Sequence, residues 1–172
     1  GAGIGGGSAC TAGGTTNKNM NGGTAKIRIK GNPIIRTGSI GGGTTKSLGG
    51  KIGSADIQIE GGDIQAQFIM AAGSEVEPKF VMNGGVIRDS NVDDSEYSHI
   101  SHNGGAVYME NGSFTMNGGI IKQCVADNGG AVYIKAASNS TKPPQFSMSG
   151  GKIFDCSSSL NGGAIYLEDG SV

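Results

Sequence analysis

Residues 103–134, NGGAVYMENGSFTMNGGIIKQCVADNGGAVYI, contain two copies of one motif that begin 25 residues apart, at Asn103 and Asn128. A third copy, NGGAIYL, occupies residues 161–167. Self-similarity at a period of about 20–50 residues is typical of solenoids, propellers and other repeat architectures. The repeat is therefore the feature from which the fold is predicted.

A twelve-residue block recurs between and before these copies. It occurs five times, as KIRIKGNPIIRT (26–37), DIQIEGGDIQAQ (56–67), KFVMNGGVIRDS (79–90), SFTMNGGIIKQC (113–124) and QFSMSGGKIFDC (145–156). Its second and fourth positions are always apolar and their neighbours polar or variable, which indicates a strand with one buried face. Position six is always glycine, and position nine is always isoleucine: Ile34, Ile64, Ile87, Ile121 and Ile153. The block predicts two short strands around a glycine corner, with position nine facing inward.

The NGGA motif predicts a third strand in each repeat. Val107 and Met109 share one face with their later counterparts, and Ala106 and Tyr108 take the other. A unit of three alternating strands cannot bury its inward face alone, but units stacked at about 4.8 Å per rung pair every strand with its copies above and below. We therefore predict an all-β fold, a parallel β-solenoid of about five to six rungs of three short strands with Gly-rich corners.

Composition narrows the possible partners. The chain has 34 glycines but 4 prolines and no three-residue glycine period, which excludes collagen. Its net charge of −1, without a long basic run, gives no electrostatic footprint for nucleic acid. No apolar run approaches the roughly 20 residues that span a bilayer. Cys10, Cys124 and Cys156 are too widely spaced for a metal-binding pair. We expect no nucleic-acid partner, no direct membrane insertion, no metal and no cofactor.

The whole chain, residues 1–172, is predicted to be a single solenoid segment. The block and NGGA spacings are interrupted by two polar stretches, which we interpret as loop insertions at 91–103 and 135–144. Both ends of the chain fall inside a repeat, so we expect a segment without caps that belongs to a longer repeat protein.

Two stretches carry a resemblance to known surface proteins. IFDCSSSLNGGAIY and IKQCVADNGGAVY resemble the GGA[ILV] repeat of polymorphic outer-membrane, autotransporter-like adhesins, and GSFTMNGG and GAGIGGG resemble surface β-helix repeat proteins of gut microbes. The resemblance covers 79–172 well and 1–78 loosely, and clear FxxN tetrapeptides are missing. It implies a right-handed parallel β-helix that acts as a stalk, passenger domain or adhesin at the cell surface.

The densest cluster of titratable residues lies in the first insertion. It contains Asp93, Asp94, Glu96, His99 and His102. Such a loop suits contact with a ligand or partner, whereas the alternative interpretation is a solvated polar loop. The acidic spacing does not match an EF-hand, and two histidines without a further ordered ligand do not indicate zinc.

Three asparagines, Asn103, Asn128 and Asn161, each precede Gly-Gly in successive units. Asparagine tolerates left-handed backbone geometry, and its amide can both donate and accept hydrogen bonds. We predict that these side chains stack as a structural ladder at one corner.

Three tyrosines should form a strip along one strand column. Tyr108, Tyr133 and Tyr166 alternate with the apolar residues of the NGGA motif, so we expect them to face outward. An outward aromatic strip suits contact with a sugar or a partner, and cross-rung stacking for stability is the alternative.

Cys124 and Cys156 share the twelfth position of the block. Matched positions of adjacent rungs lie about 4.8 Å apart, which a disulfide can span, but parallel side chains point the same way and strain the bridge. We predict neighbouring thiols without a bridge, at a corner position whose earlier counterparts are polar.

These patterns favour a non-enzymatic structural or adhesive module of an extracellular or cell-surface protein, with no catalytic residues. Its expected partner is a host-surface or glycan ligand, or further copies associating end to end. Two alternatives remain open at this point. Parallel β-helices also include polysaccharide lyases and hydrolases, which need converging carboxylates, whereas the outward block positions carry a mixed set: Arg28, Gln58, Asp63, Ser147 and Lys152. The other alternative is a self-assembling filament subunit.

Overall fold

The computed structural model describes residues 4–5, 23–42, 52–71, 77–90, 103–136 and 142–168. These residues form strands, corners and connections and contain no helix. The strands are β1 (Ile4–Gly5), β2 (Ala25–Ile29), β3 (Ile34–Gly41), β4 (Ala55–Ala71), β5 (Lys79–Arg88), β6 (Val107–Glu110), β7 (Ser113–Met116), β8 (Ile120–Lys122), β9 (Val125–Asn128), β10 (Val132–Lys135), β11 (Gln145–Met148), β12 (Lys152–Phe154), β13 (Ser157–Asn161) and β14 (Ile165–Glu168). Within the described ranges, no helix is long and apolar enough to cross a membrane.

All strand pairs are parallel and join residues one repeat apart, which confirms the predicted parallel β-solenoid. The first column consists of β2, the start of β4, the start of β5, β7 and β11. The second column consists of the start of β3, the middle of β4, the end of β5, β8 and β12. The third column joins β1, the end of β3, the end of β4, β6, β10 and β14.

The later turns hold one strand more than the three that the sequence motifs predicted. β9 and β13 pair with each other in a separate two-stranded parallel sheet. Their sequences, VADN and SSSLN, have little apolar alternation, so they carry no period-two signal of a half-buried strand. Because β13 bulges between Ser158 and Asn161, this column is also the least regular of the later turns.

The first block departs from the predicted register by one residue. Ile35, and not Ile34, pairs with Ile64 and packs against the core, whereas Ile34 is 74% exposed. The first block turns its corner through Gly-Asn-Pro and the second through Gly-Gly, so one extra residue precedes the strand. A shift of one residue reverses the face to which every side chain points, and the inward assignment of Ile34 was therefore wrong.

The backbone of the corners is left-handed at several positions, and two of them recur from block to block. The first corner of most blocks places the second glycine at positive φ, as at Gly119 with φ of 90°. A second corner follows the second strand of each block. In the last three blocks its left-handed residue is not glycine: Asp89, Gln123 and Asp155 adopt φ of 50°, 56° and 52°. The repeat pattern predicts sharp corners at glycine, and these non-glycine residues form a second type of corner that it does not indicate.

The main core is a continuous column of alternate side chains. Phe68, Phe80, Phe114 and Phe146 meet edge to face, with ring centroids 4.9, 4.7 and 5.1 Å apart. Burying one such side chain contributes about 1.5–3 kcal/mol, and aromatic pairs with this geometry add to it. The core is thus continuous across the rungs, and each ring stabilises its neighbours.

Two alanines expected on the tyrosine side belong to the main core. Ala106 and Ala131 are completely buried there, next to Val107 and Val132. β6 and β10 begin at these valines, and the alanines lie in the preceding bend. The strand alternation therefore does not extend back to them, which corrects the predicted orientation.

The cysteine column also lies deeper than predicted. Cys124 is completely buried in the main core, and Cys156 is partly buried against it. Both are free thiols, as expected. Cys10 lies outside the described residues. The residues that occupy this position in the earlier blocks are polar, which predicted a corner outside the core. The left-handed residue before each cysteine instead turns the side chain toward the interior.

Candidate functional site

The outer face of the second column carries a compact ion-pair network, here called the charged cluster: Arg36, Asp63, Arg88 and Asp89. Arg88 binds both carboxylate oxygens of Asp63, with Nε–Oδ1 and Nη2–Oδ2 distances of 2.8 and 2.9 Å. Arg36 reaches the same carboxylate from the other neighbouring rung at 3.2 Å, and Arg88 Nη1 lies 2.6 Å from Asp89 Oδ2. Side chains two residues apart along a strand share a face, so both arginines flank Asp63.

Electrostatics in the charged cluster are balanced. The hydrogen bond from Arg88, followed by that from Arg36, lowers the pKa of Asp63 to about 2. The reciprocal bond to Asp63 raises the pKa of Arg88 above its ordinary value. Two carboxylates are thus matched by two guanidinium groups, and Asp63 stays ionised across the physiological pH range.

A groove of about 320 Å³ adjoins the charged cluster, and its walls are polar. Gln67 Nε2 donates to the carbonyl oxygens of Asn103 and Gly104 at 3.0 and 2.9 Å, which fixes one wall. Gln65 Nε2 donates to the Asp89 carbonyl at 3.2 Å and fixes the other. Polar side chains, among them the guanidinium of Arg36, therefore line this groove.

A second groove of about 550 Å³ lies on the outer face of the first column, lined in part by Arg28, Gln58 and Lys79. Arg28 Nε donates to Gln58 Oε1 at 2.8 Å and lies 3.7 Å from Glu60. Lys30 reaches the same glutamate at 3.3 Å. These contacts are exposed and involve long side chains. They therefore fix the side chains on this face less firmly than the charged cluster fixes those on the outer face of the second column.

The pairing within the charged cluster was not recognised from sequence. Asp63 was grouped with outward residues of mixed charge, and no pairing with Arg36, Arg88 or Asp89 was predicted. A usable signal existed, because the tenth position of one block lies two residues beyond the position aligned with Asp63 in the neighbouring block. Applying the two-residue strand period across rungs would have placed Arg88 beside Asp63.

The tyrosine strip points away from the main core, but it is not an exposed surface. Neighbouring rings of Tyr108, Tyr133 and Tyr166 lie 5.5 and 5.7 Å apart, the first pair stacked at an interplanar angle of 12°. Tyr108 and Tyr133 are only 2% and 5% exposed, because they form a second hydrophobic cluster with Ile69 and Ile52. The expected outward strip is corrected accordingly: only Tyr166 is partly accessible, and cross-rung stacking is the observed arrangement.

Hydrogen bonds anchor the phenol groups of the strip. Tyr108 donates to Glu110 Oε1 at 2.6 Å, and Tyr133 donates to Glu168. Lys135 Nζ lies 2.8 Å from the same oxygen of Glu110. Burial, and then the neighbouring glutamates, raises the pKa of Tyr108 and of Tyr133. Both phenols therefore remain protonated donors at neutral pH, and the strip is a structural element.

Two ladders of polar side chains run along the corners. Asn128 Nδ2 donates to Asn103 Oδ1 and Asn161 Nδ2 donates to Asn128 Oδ1, each at 2.8 Å, at the corner named from the sequence. At another corner, Asn117 Nδ2 donates to Asn83 Oδ1 at 2.9 Å and Ser149 Oγ donates to Asn117 Oδ1 at 3.0 Å. The second ladder was missed, although its members share position five of the block.

The remaining candidate contact residues lie outside the described part of the chain. They are Asp93, Asp94, Glu96, His99 and His102. Among the residues that the structure does describe, no group of three or more histidine, cysteine, aspartate or glutamate side chains could hold a metal ion.

No protein-family model, no curated protein and no solved structure matches the chain. The resemblance to GGA[ILV]-repeat surface proteins therefore stays a prediction.

Proposed function

We propose that the chain is a non-enzymatic structural and adhesive module of an extracellular or cell-surface protein. The observation that carries this proposal is the repetition of like residues in register along the axis. The third column pairs Val107 with Val132 and Val132 with Ile165, and the first pairs Phe80 with Phe114 and Phe114 with Phe146. Such columns suit a stiff spacer that holds outer surfaces at fixed distances.

Interactions that continue from rung to rung along the solenoid axis support the structural role in this proposal. Parallel backbone hydrogen bonds, the phenylalanine column, the tyrosine stack and two polar ladders all run from rung to rung. Each of these interactions adds to the interface between neighbouring rungs, and such nearest-neighbour terms contribute to the stability of repeat proteins. Separating two rungs requires breaking all of them together.

The polar groove beside the charged cluster supports the adhesive half. Its walls are fixed by hydrogen bonds to the backbone and not by flexible side chains alone. A preorganised polar groove lowers the conformational cost of binding a glycan. The ligand class that fits is therefore a surface glycan, neutral or acidic.

The test is a binding screen with the purified chain on a panel of neutral and acidic glycans, alongside an assay for new reducing or unsaturated ends. We expect binding that weakens at least about fivefold in Arg36→Ala and Gln65→Ala, because both side chains line the groove. Lys152→Ala, an exposed change on the same column, serves as the matched control and should bind normally. Depolymerisation of any glycan would show that the chain is a carbohydrate-active enzyme and would overturn this proposal. An equal loss of binding in Lys152→Ala would show that the groove is not the binding site.

Self-association is a second candidate, favoured by the exposed apolar residues of the turn 145–168. Phe154 and Leu160 are 40% and 70% exposed. Apolar side chains concentrated on one turn suit contact with a second copy of the chain. Sedimentation velocity across a range of concentrations tests this: association that Leu160→Ser weakens supports it, and a monomer at all concentrations excludes it.

A further inference from the structure

The groove of about 550 Å³ on the outer face of the first column carries positive charge, and it is here called the cationic groove. Its charged lining consists of Lys26, Arg28 and Lys79 with one carboxylate, Asp56, which gives the groove a local net charge of +2. The whole chain has a net charge of −1. The positive charge is therefore a property of this face and not of the chain.

The stacking of the rungs produces this arrangement of charges. Lys26 pairs with Asp56 and Asp56 pairs with Lys79, so the three residues stand in register on successive rungs. At one strand spacing per rung, the Cα atoms of the two lysines lie about 10 Å apart, with the carboxylate between them. Arg28 follows Lys26 by two residues and shares its outward face.

The positive charges of the groove are accessible to a ligand. Lys26, Arg28 and Lys79 are all exposed on the side of the solenoid. Among the residues that the structure describes, neither lysine forms an ion pair. Glu60, which Arg28 approaches at 3.7 Å, also has Lys30 at 3.3 Å. A ligand with negative charge therefore meets two lysines that no carboxylate of the described structure has paired.

The same outer face continues beyond Lys79 as an uncharged polar track. Its residues stack in register with those of the groove, and they are Ser113, Thr115, Gln145 and Ser147. Hydroxyl and carboxamide groups both donate and accept hydrogen bonds, which matches the hydroxyl groups of sugars. A linear ligand that follows the solenoid axis thus meets cations over three rungs and neutral polar groups over the next two.

We propose that the cationic groove binds a linear acidic polysaccharide of low charge density, in which carboxylates are separated by neutral sugars. The lysines and Arg28 bind the carboxylates by charge-assisted hydrogen bonds. Val81, in the lining of the groove, offers an apolar contact to a sugar ring, and the neutral sugars follow the polar track. Asp56 repels a densely charged polyanion, because like charges brought together oppose binding. This site lies on another column than the groove beside the charged cluster, so it does not rest on the function proposed above.

The experiment measures binding of the full chain to a hyaluronan oligosaccharide by isothermal titration calorimetry. The matched control ligand is the same oligosaccharide with its carboxyl groups reduced to alcohols, which removes the charge and keeps the sugar chain. We expect the acidic form to bind at least about tenfold more tightly than the reduced form. Its affinity should fall as salt is added, because contacts between exposed charges are screened.

Substitutions then locate the site. Lys26→Gln and Lys79→Gln should each weaken binding about threefold, and Asp56→Asn should strengthen it by a similar factor, since it removes the repelling carboxylate. All three positions are exposed, so the variants are expected to fold normally. Lys152→Gln removes one positive charge from the outer face of the second column and should bind like the parent.

Four results would overturn the proposal: no binding of hyaluronan, equal binding of its reduced form, an equal loss in Lys152→Gln, or weaker binding in Asp56→Asn. A DNA duplex that binds as tightly as hyaluronan would also overturn it, by showing unselective attraction of polyanions. Arg36→Ala separates this proposal from the preceding one. Binding that is lost in Arg36→Ala and kept in both lysine variants would place the ligand beside the charged cluster, which refutes the cationic groove and supports the adhesive function.

Discussion

Replacing Phe114 by alanine is expected to be among the most damaging single changes in the core. The ring is completely buried, and its centroid lies 4.7 Å from that of Phe80 and 5.1 Å from that of Phe146. Truncating a buried phenylalanine costs about 3–5 kcal/mol, which includes the lost transfer free energy and the cavity left behind. Two edge-to-face contacts, each contributing about 0.5–1.5 kcal/mol, place this site near the upper end of the range.

Two other phenylalanines provide a graded series for this prediction. Phe146 is 4% exposed and has one aromatic neighbour in the column, so we expect Phe146→Ala to cost about 1 kcal/mol less than Phe114→Ala. Phe154 is 40% exposed on the outer face of the second column, and Phe154→Ala should cost about 1 kcal/mol or less. Chemical composition changes equally in all three variants, so differences between them report the environment of each ring.

The assay is urea-induced unfolding followed by far-ultraviolet circular dichroism, with the free energy of unfolding obtained by linear extrapolation. Natural domains are stable by about 5–15 kcal/mol, so Phe114→Ala is expected to unfold at a much lower urea concentration and still to fold without denaturant. Equal losses in Phe114→Ala and Phe154→Ala would refute the continuous aromatic column, and so would a loss below about 1.5 kcal/mol at Phe114.

The corners and the charged cluster lead to three further predictions. Gly104 has φ of 64°, and a Cβ there would lie 2.1 Å from the Val107 carbonyl oxygen, so Gly104→Ala should cost more than about 2 kcal/mol in urea unfolding. Gly38→Ala, where a Cβ would meet no atom within 4 Å, should stay within about 0.5 kcal/mol, and an equal loss at both would contradict the packing argument. Gln123→Gly should raise the free energy of unfolding by about 0.5–1 kcal/mol and Tm by a few degrees, because the exposed side chain is held at φ of 56°; a lower Tm would count against left-handed strain. The carboxyl of Asp63 should titrate by NMR with a midpoint of about 2. Its folded pKa is depressed, so its contribution to stability is present above the ordinary carboxyl value and is lost as pH falls toward the folded one. Arg88→Ala should raise that midpoint toward the ordinary carboxyl value, and no change in the variant would show that Arg88 does not set it.

The apolar columns and the asparagine corner could be derived from sequence because they repeat at constant offsets. Phe114 and Met116 are buried as the alternation of their strand requires. Ile34 could not be placed correctly, because a corner longer by one residue turns each following side chain to the opposite face of the strand. The residue at position nine is isoleucine in either case, so the sequence gives no sign of the change. Gln123 could not be recognised as left-handed, because glutamine carries no intrinsic preference for that backbone region.

The tyrosine strip and the charged cluster depend on relations that a strand pattern does not contain. Alternation placed Tyr108 opposite the main core, but its burial arises from Ile52 and Ile69, which lie far away in the sequence. Asp63 gains its arginine partners from the two rungs on either side. To predict such contacts, one must first align the rungs and then apply the two-residue period of the side chains. They can therefore be predicted only once the stacking of the rungs is known.

The register of the solenoid is preserved across both sequence insertions. Residues 89–106 separate β5 from β6, and residues 136–144 separate β10 from β11. β5 and β7 nevertheless pair in register, as do β7 and β11, and Asn103, the last residue of the first insertion, bridges to Asn128. Lengthening a loop at a corner costs little, because the closure entropy grows only with the logarithm of loop length. A solenoid of this kind can therefore vary the residues at its corners and on its outer faces, while the stacked core keeps its rungs at fixed positions.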